Sequence, residues 1–325
     1  MVELCVVHAG MLATVQDRGR VGWQAQGVPV SGPADWVSAA LANAVVGNPI
    51  DAPLVEFLVH GPTVEACGGT LRIAVVGRSF AMLQGNRDSR CLWRMKMAGW
   101  QLSVWEVPSG AQLTCGTVRQ AARGYLAVAG GLVSEAFLGS QSTLLGAPWP
   151  GQSSRPLKGG DRLGVGQEAC LRTFASHTEA LATLVRLMPH TTAPTTIRLL
   201  AGPQQKAFSL RGNGPFVIDP NSDRTALRLT GAVPDYQGEE LFSLPLVRGA
   251  VQVPGDGTLL VAGADHPVTG GYPIWGIVAF ADEWRLGELL PGARLYFRWI
   301  GWKEAVRAAE NLRWLVQLAT GQTVA

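Results

Sequence analysis

Thr14-Val15-Gln16-Asp17-Arg18-Gly19-Arg20 runs on through Gly27-Val28-Pro29-Val30-Ser31-Gly32-Pro33-Ala34-Asp35 and into Leu41-Ala42-Asn43-Ala44-Val45-Val46-Gly47-Asn48. Gly, Pro, Asp, Arg and Ser crowd a loop that must be ordered, because an apolar helical pattern starts directly after it. Gly32 and Pro33 read as a helix entry, Gly47 as its C-terminal stop and Pro49 as the breaker beyond. The polar side chains of this loop are therefore predicted to be held against a rigid element.

Outward from this loop, strand-like runs recur at short intervals: 71–76, 101–107, 123–128, 196–200, 250–254, 258–262, 274–280 and 294–299. Most are bounded by Gly, Pro, Asn or Asp, the punctuation of antiparallel barrels and sandwiches. Forty glycines and 20 prolines, with few long helical patterns, predict a mostly β chain. Its 325 residues exceed the size at which one hydrophobic core usually stops growing, so two domains are expected. Ser176-His177-Thr178-Glu179 has the spacing of a capping box, and 180–187 suits a short helix behind it. That helix and the following His190 to Pro194 form the expected linker, dividing the chain into 1–194 and 195–325. From Trp302 to Leu318, Ala305, Val306, Ala309, Leu312, Leu315 and Leu318 recur at helical spacing, which predicts a C-terminal amphipathic helix packed on the second domain.

An apolar fraction of 47% with 16% charged residues excludes general disorder. The 27 basic and 24 acidic residues are spread along the chain with no basic run interleaved with aromatics, which argues against nucleic acid as a partner. No apolar run approaches the length of a membrane span, and a cytoplasmic protein is expected. Cys5, Cys67, Cys91, Cys115 and Cys170 are odd in number and widely spaced, so they read as reduced thiols rather than a disulfide framework or a zinc site. His8, His60, His177, His190 and His266 are scattered, and no metal site is expected. Signatures of a phosphate-binding loop, a serine-hydrolase elbow and a zincin helix are missing from the sequence. Gly164-Val165-Gly166-Gln167-Glu168-Ala169 fits the loosest dinucleotide pattern but reads as a turn.

Two constellations carry the chemistry. Asp17, Arg20, Ser31 and Asp35 put two carboxylates, a guanidinium and a hydroxyl on the loop that opens the first helix. Arg can hold a carboxylate by a bidentate fork, and Asp can accept from an N–H or act as a general base. Ion pairs Asp17–Arg20 or Asp35–Arg18 that only pin the loop are the alternative. The second constellation is Asp265-His266-Pro267-Val268-Thr269-Gly270-Gly271-Tyr272-Pro273, whose adjacent glycines suit a turn of successive N–H groups cradling an anion. A tight turn with Tyr272 packed over it is the alternative. Asp223 and Arg224 follow a Pro-Asn-Ser turn and are expected to face the same cleft. Ser140 and Ser142 offer hydroxyls after a glycine pair, and Glu56 reads as an inward-facing carboxylate whose partner spacing does not reveal.

The opening segment, Arg123 to Gly131 with Leu138-Gly139-Ser140, Arg155 to Asp161, Ser222-Asp223-Arg224 and Thr269 to Pro273 together resemble, in order, the signatures of the allophanate hydrolase subunit 2 family. That family is also known as the biotin-dependent carboxyltransferase or KipA family, and includes the C-type subunits of bacterial ATP-dependent 5-oxoprolinase. The resemblance implies two cyclophilin-like β-barrels, a KipI-like protein (the B-type subunit of 5-oxoprolinase) as partner, room for a LamB/YcsF-type third component, and ATP-dependent opening of a lactam. ATP would be used through the complex, since this chain has no ATP motif. On the chemistry of the constellations, Asp17, Arg20, Asp35, Asp223 and Arg224 are expected as catalytic residues. Ser31, Glu56, Asp265, His266, Thr269, Gly270, Gly271 and Tyr272 are expected as substrate contacts. Around the second Asp-Arg pair the family pattern continues Met-Gly-Tyr-Arg-Leu, where this chain has Thr225, Ala226 and Leu227 before Arg228. His266, Pro267 and Val268 likewise stand where the family has Arg-Gln-Thr, and Ile274 replaces a lysine. These departures remove polar groups from the second site. Arg94-Met95-Lys96-Met97 lacks the alanine of a biotinylation motif, so no covalent biotin site is expected in this chain. A carboxyltransferase component acting on urea or another amide, and a regulatory protein that sequesters a KipI-like kinase inhibitor, are the competing readings.

Overall fold

The computed structural model describes residues 2–78, 80, 84–86, 88–97, 99–167, 183–184, 194–209 and 213–324. The helix expected at 180–187, its capping box, most of the linker and Cys170 lie outside the described residues. The chain divides into two compact units: Met1–Arg20 with Ser31–Met188 and Arg313–Ala325, and Val21–Val30 with Pro189–Leu312.

The first unit holds two six-stranded antiparallel sheets. One runs Leu132–Val133, Arg162–Val165, Glu3–His8, Thr63–Cys67, Gln112–Thr114, Gln84–Gly85. The other runs Ala13–Gln16, Leu54–Leu58, Arg123–Val128, Leu71–Arg78, Trp100–Val107, Arg90–Met97. Strand side chains alternate between faces, so one face of each sheet meets in a shared core of Leu4, Val6, Val15, Val55, Phe57, Ile73, Trp105 and Leu126. The opposite face of the second sheet carries Thr14 across from Glu56, and Glu56 across from Tyr125. Helix Trp36–Val45 packs on the central strands of this sheet, burying every residue from Val37 to Val45. Small alanines let it lie close. Asp35 caps it, its Oδ1 accepting from the N–H groups of Val37 and Ser38 at 3.0 Å, and Gly47 ends it at φ 83°.

Cys5 and Cys67 form a disulfide, correcting the expectation of reduced thiols. They are 62 residues apart in sequence, yet Glu3–His8 pairs with Thr63–Cys67 so that Cys5 lies opposite Glu65 and Cys67 opposite Glu3. The resulting Cα–Cα distance of 6.4 Å is within disulfide reach, and only sheet register brings it about. Cys91 is exposed and Cys115 buried, both free.

The second unit is a closed seven-stranded barrel in the order Thr195–Ala201, Ile274–Val278, Ala250–Gln252, Thr258–Ala262, Ala226–Thr230, Phe216–Ile218, Arg294–Trp299. It closes through a parallel pairing of the first and last strands. Phe216, Trp275, Phe297 and Trp299 pack edge-on and tilted in its interior. The expected strand 274–280 stops at Val278, because Phe280–Leu286 is helical. Asp282 anchors that helix by accepting from the Arg198 backbone N–H at 2.8 Å, from both arms of the Arg198 guanidinium and from Arg285. Helix Trp302–Thr320 matches the periodicity, with Ala305, Leu312 and Val316 buried, although Val306 is exposed. The end of the chain groups with the first unit, where Gln322 accepts from the Ile50 N–H and donates to the Asn48 carbonyl. Among the described residues no helix is long and apolar enough to cross a membrane.

Candidate functional site

In the first unit the opening loop is tied down at both ends. Asp17 follows strand Ala13–Gln16, and its carboxylate accepts from the Gly19 N–H (2.8 Å), the Gln141 N–H (2.7 Å) and the hydroxyls of Ser140 and Ser142. Arg20 is buried, donates to the Ser142 carbonyl and lies 4.3 Å from the ring centroid of Trp149. The serines of 140–142 thus serve Asp17, and the Asp17–Arg20 pair expected as a unit is two anchors onto one distant loop.

The other end of the loop rests on a buried network. Glu56 Oε2 accepts from the Ala34 N–H at 2.7 Å and from the Tyr125 hydroxyl at 3.0 Å, while Oε1 pairs with Arg123 Nε at 3.2 Å. The Tyr125 oxygen accepts from the Asp35 N–H at 2.8 Å. Each polar group here satisfies another, as burial requires. Asp35 acts as a helix cap and Glu56 as the hub. Arg123 and Tyr125 escaped the sequence reading as site residues, although their two-residue spacing on one strand places them on a common face with Glu56's partner positions. Between the two ends, Ser31 has φ 64° and Gly32 φ 90°. A Cβ at Gly32 would stand 3.1 Å from the Asp17 carbonyl oxygen, so glycine is needed there for the close approach.

In the second unit Arg224 and Asp265 form a buried fork, Nε to Oδ2 at 2.8 Å and Nη2 to Oδ1 at 2.9 Å. Asp223 parts company with its neighbour: it is exposed and accepts from the N–H groups of Thr225 and Ala226 in its own turn. His266 is buried, with Nδ1 donating to the Pro267 carbonyl at 2.7 Å. Burial pushes its pKa below the usual value, and the charge of Arg248 pushes the same way. Arg248 also stands 3.8 Å from Glu283, whose carboxyl burial raises to about 7. Neither Arg248 nor Glu283 carries a motif by which sequence could single it out. Thr269–Gly270 pairs as a short strand with Leu244–Pro245, and neither Gly270 nor Gly271 has a positive φ. The segment is therefore extended backbone held by cross-strand pairing rather than the expected anion-cradling turn. Tyr272 is half exposed instead of packed as a cover. Among the described residues no group of three or more His, Cys, Asp or Glu side chains is placed to hold a metal.

A family model of the carboxyltransferase domain, subdomain A and B, matches residues 26–299. The chain belongs to this family. The C-type subunit of Escherichia coli 5-oxoprolinase is 31% identical over 324 residues, covering 97% of both chains. Lachancea kluyveri urea amidolyase is 28% identical over 94% of this chain but only 17% of its own length. In three dimensions the K. lactis urea amidolyase superposes with a TM-score of 0.82 at 25% identity, over 98% of this carboxyltransferase-family chain and 20% of that one. The chain thus spans about a fifth of each urea amidolyase and nearly all of the 5-oxoprolinase subunit.

Proposed function

We propose that this chain is the C-type subunit of a cytoplasmic, heteromeric ATP-dependent 5-oxoprolinase, working with a KipI-like B-type subunit. The observation that carries this reading is the end-to-end match to the C-type subunit of 5-oxoprolinase, against a match to only a small part of the urea amidolyases. A lactam is a poor electrophile. Transfer of a phosphoryl group from ATP to its carbonyl oxygen makes the carbon reactive. Water then adds, the C–N bond breaks with the ring nitrogen leaving as the amine, and a second water hydrolyses the acyl phosphate to glutamate and phosphate. In this scheme Asp17, Arg20 and Asp35 act on the substrate by holding the loops that face it, consistent with the bonds each makes.

Co-expression with a KipI-like protein and gel filtration at micromolar concentration test the assembly, and release of glutamate and phosphate from 5-oxoproline and ATP tests the reaction. The complex is expected to turn over and the isolated chain is not. Failure to co-elute, or turnover by the chain alone, would sink the proposal. Biotin-dependent carboxylation of urea instead would move the chain to a carboxyltransferase role, and tight binding of the partner without turnover to a regulatory one.

A further inference from the structure

In strand Glu3–His8 the side chains of Leu4 and Val6 are buried while Cys5 is half-buried. In strand Thr63–Cys67, Val64 and Ala66 are buried while Cys67 is half-buried. Alternation therefore puts both sulfurs on the outer face of their sheet, away from the core beneath. Their neighbours on that face are polar. Glu65 stands opposite Cys5 and Glu3 opposite Cys67. Arg162, paired with Cys5 from the strand on the other side, holds Glu3 in an ion pair at 2.6 Å, and Gln112 donates to Glu65 at 2.8 Å. A thiol dissolved in water can reach a bond so placed.

Nor does the strand depend on that bond for its position. Glu3–His8 pairs antiparallel on both sides, with Thr63–Cys67 and with Arg162–Val165, and Leu4 and Val6 lie in the core. With the bond open, these pairings hold the two Cα atoms near their separation of 6.4 Å, so the thiols stay within reach and closure is intramolecular. We propose that Cys5 and Cys67 form a reversible redox pair, a staple that thiol reductants open and disulfide oxidants close while the fold persists. Closed, it joins residues 62 apart in sequence and restricts the unfolded chain, so the oxidised protein is the more stable form. Opening proceeds by exchange: one thiolate of a dithiol reductant attacks a sulfur of the pair, the S–S bond breaks, and the other sulfur leaves as a thiolate and takes a proton. The second thiol of the reductant then resolves the mixed disulfide and departs as a cyclic disulfide. Two electrons and two protons pass to the protein. Oxidised glutathione, itself a disulfide, runs the exchange in reverse. The inference rests on sheet register alone and stands or falls apart from the proposed reaction.

The test treats the full chain, folded and at room temperature, with dithiothreitol or with oxidised glutathione, then alkylates free thiols and maps the peptides by mass spectrometry. Cys5 and Cys67 should be alkylated together after dithiothreitol and recovered as one cross-linked peptide pair after oxidised glutathione. Cys91, exposed and free, should be alkylated in untreated and reduced protein alike. Dithiothreitol should lower the melting temperature by about 5 °C or more. The double variant Cys5→Ser, Cys67→Ser should melt at the reduced temperature and ignore dithiothreitol. A bond that resists dithiothreitol until the chain unfolds, thiols that give no cross-linked pair with oxidised glutathione, or a melting temperature unmoved by reduction each overturns the proposal. Loss of native tryptophan fluorescence on reduction overturns it as well, because the bond would then be a condition of folding, and that measurement needs no variant to fold.

Discussion

Glu56 in the first unit and Glu283 in the second are both carboxylates withdrawn from water, and their surroundings treat them in opposite ways. Glu56 is met by Arg123, the Tyr125 hydroxyl and the Ala34 N–H, all within 3.2 Å. Glu283 has Arg248 at 3.8 Å, and burial raises its carboxyl to about 7. Among the described residues, the non-glycine residues with positive φ, Ser31, Val59 and Leu138, all belong to the first unit. Saturated bonding and backbone strain together describe a region whose loops are held in one arrangement, as binding loops must be. The second unit instead carries a carboxyl that burial raises to about 7 and an imidazole that burial lowers.

The largest effect should come from breaking the saturated network. Glu56→Gln removes the carboxylate that faces the buried Arg123, and breaking a buried ion pair from one side typically costs about 3 kcal/mol or more. Urea denaturation followed by tryptophan fluorescence reads this directly. A loss under about 1 kcal/mol would mean that Glu56 is no hub, and the contrast with Glu283 would collapse.

Glu283→Gln should act with the opposite sign and depend on pH. A carboxyl whose folded pKa lies above its unfolded value adds stability that is complete below about pH 4.5 and lost as pH rises through about 7. Gln has no such slope, so the variant should gain about 2 kcal/mol relative to wild type between pH 5 and pH 8. His266, with its pKa lowered, contributes a slope of the other sign, stability being lost as pH falls below its ordinary value near 6.5. That slope is present in both proteins and cancels in the difference. A pH-independent difference would show that Glu283 is already ionised in the fold.

Tyr125→Phe, smaller again, removes the hydroxyl shared between Glu56 and Asp35 and should cost about 1–2 kcal/mol. In the assembled complex it should raise KM more than it lowers kcat, since it loosens the loop without touching reacting atoms. Unchanged KM at a reduced melting temperature would separate the network from ligand binding.

Much of the frame was legible because it rests on local rules. Strands 123–128, 258–262 and 294–299 lie where alternation and turn residues placed them, and the Gly-Pro entry and glycine stop bracket the first helix. Contacts set by register were not legible. Cys5 with Cys67, Glu56 with Arg123 and Asp17 with Ser140 and Ser142 join residues between 62 and 125 positions apart. Nothing in the spacing of single residues encodes such pairings. Asp223 and Arg224, adjacent in sequence, show the converse: one caps an exposed turn and the other is buried in a fork with Asp265. Adjacency suggested one site, but in the turn ahead of strand Ala226–Thr230 the two side chains part, Asp223 accepting from its own turn and Arg224 reaching Asp265.

The smallest predicted effect tests the strain itself. Leu138 has φ 52° and precedes Gly139 at φ 78°, just ahead of the serines that bind Asp17. Replacing a residue by glycine ordinarily costs about 0.5–1 kcal/mol, because the unfolded chain gains freedom. Where the native residue is already left-handed, relief of the side chain's clash with its own backbone offsets that cost, about 1–2 kcal/mol by the sterics of this region. Leu138→Gly should therefore be neutral within about 0.5 kcal/mol, after loss of some side-chain packing, while the same exchange at the strand position Leu229, fully buried in the second unit, should cost about 3 kcal/mol or more. Equal losses at the two positions would show that Leu138 is an ordinary packed residue, and the asymmetry in strain between the two units would then have no energetic content.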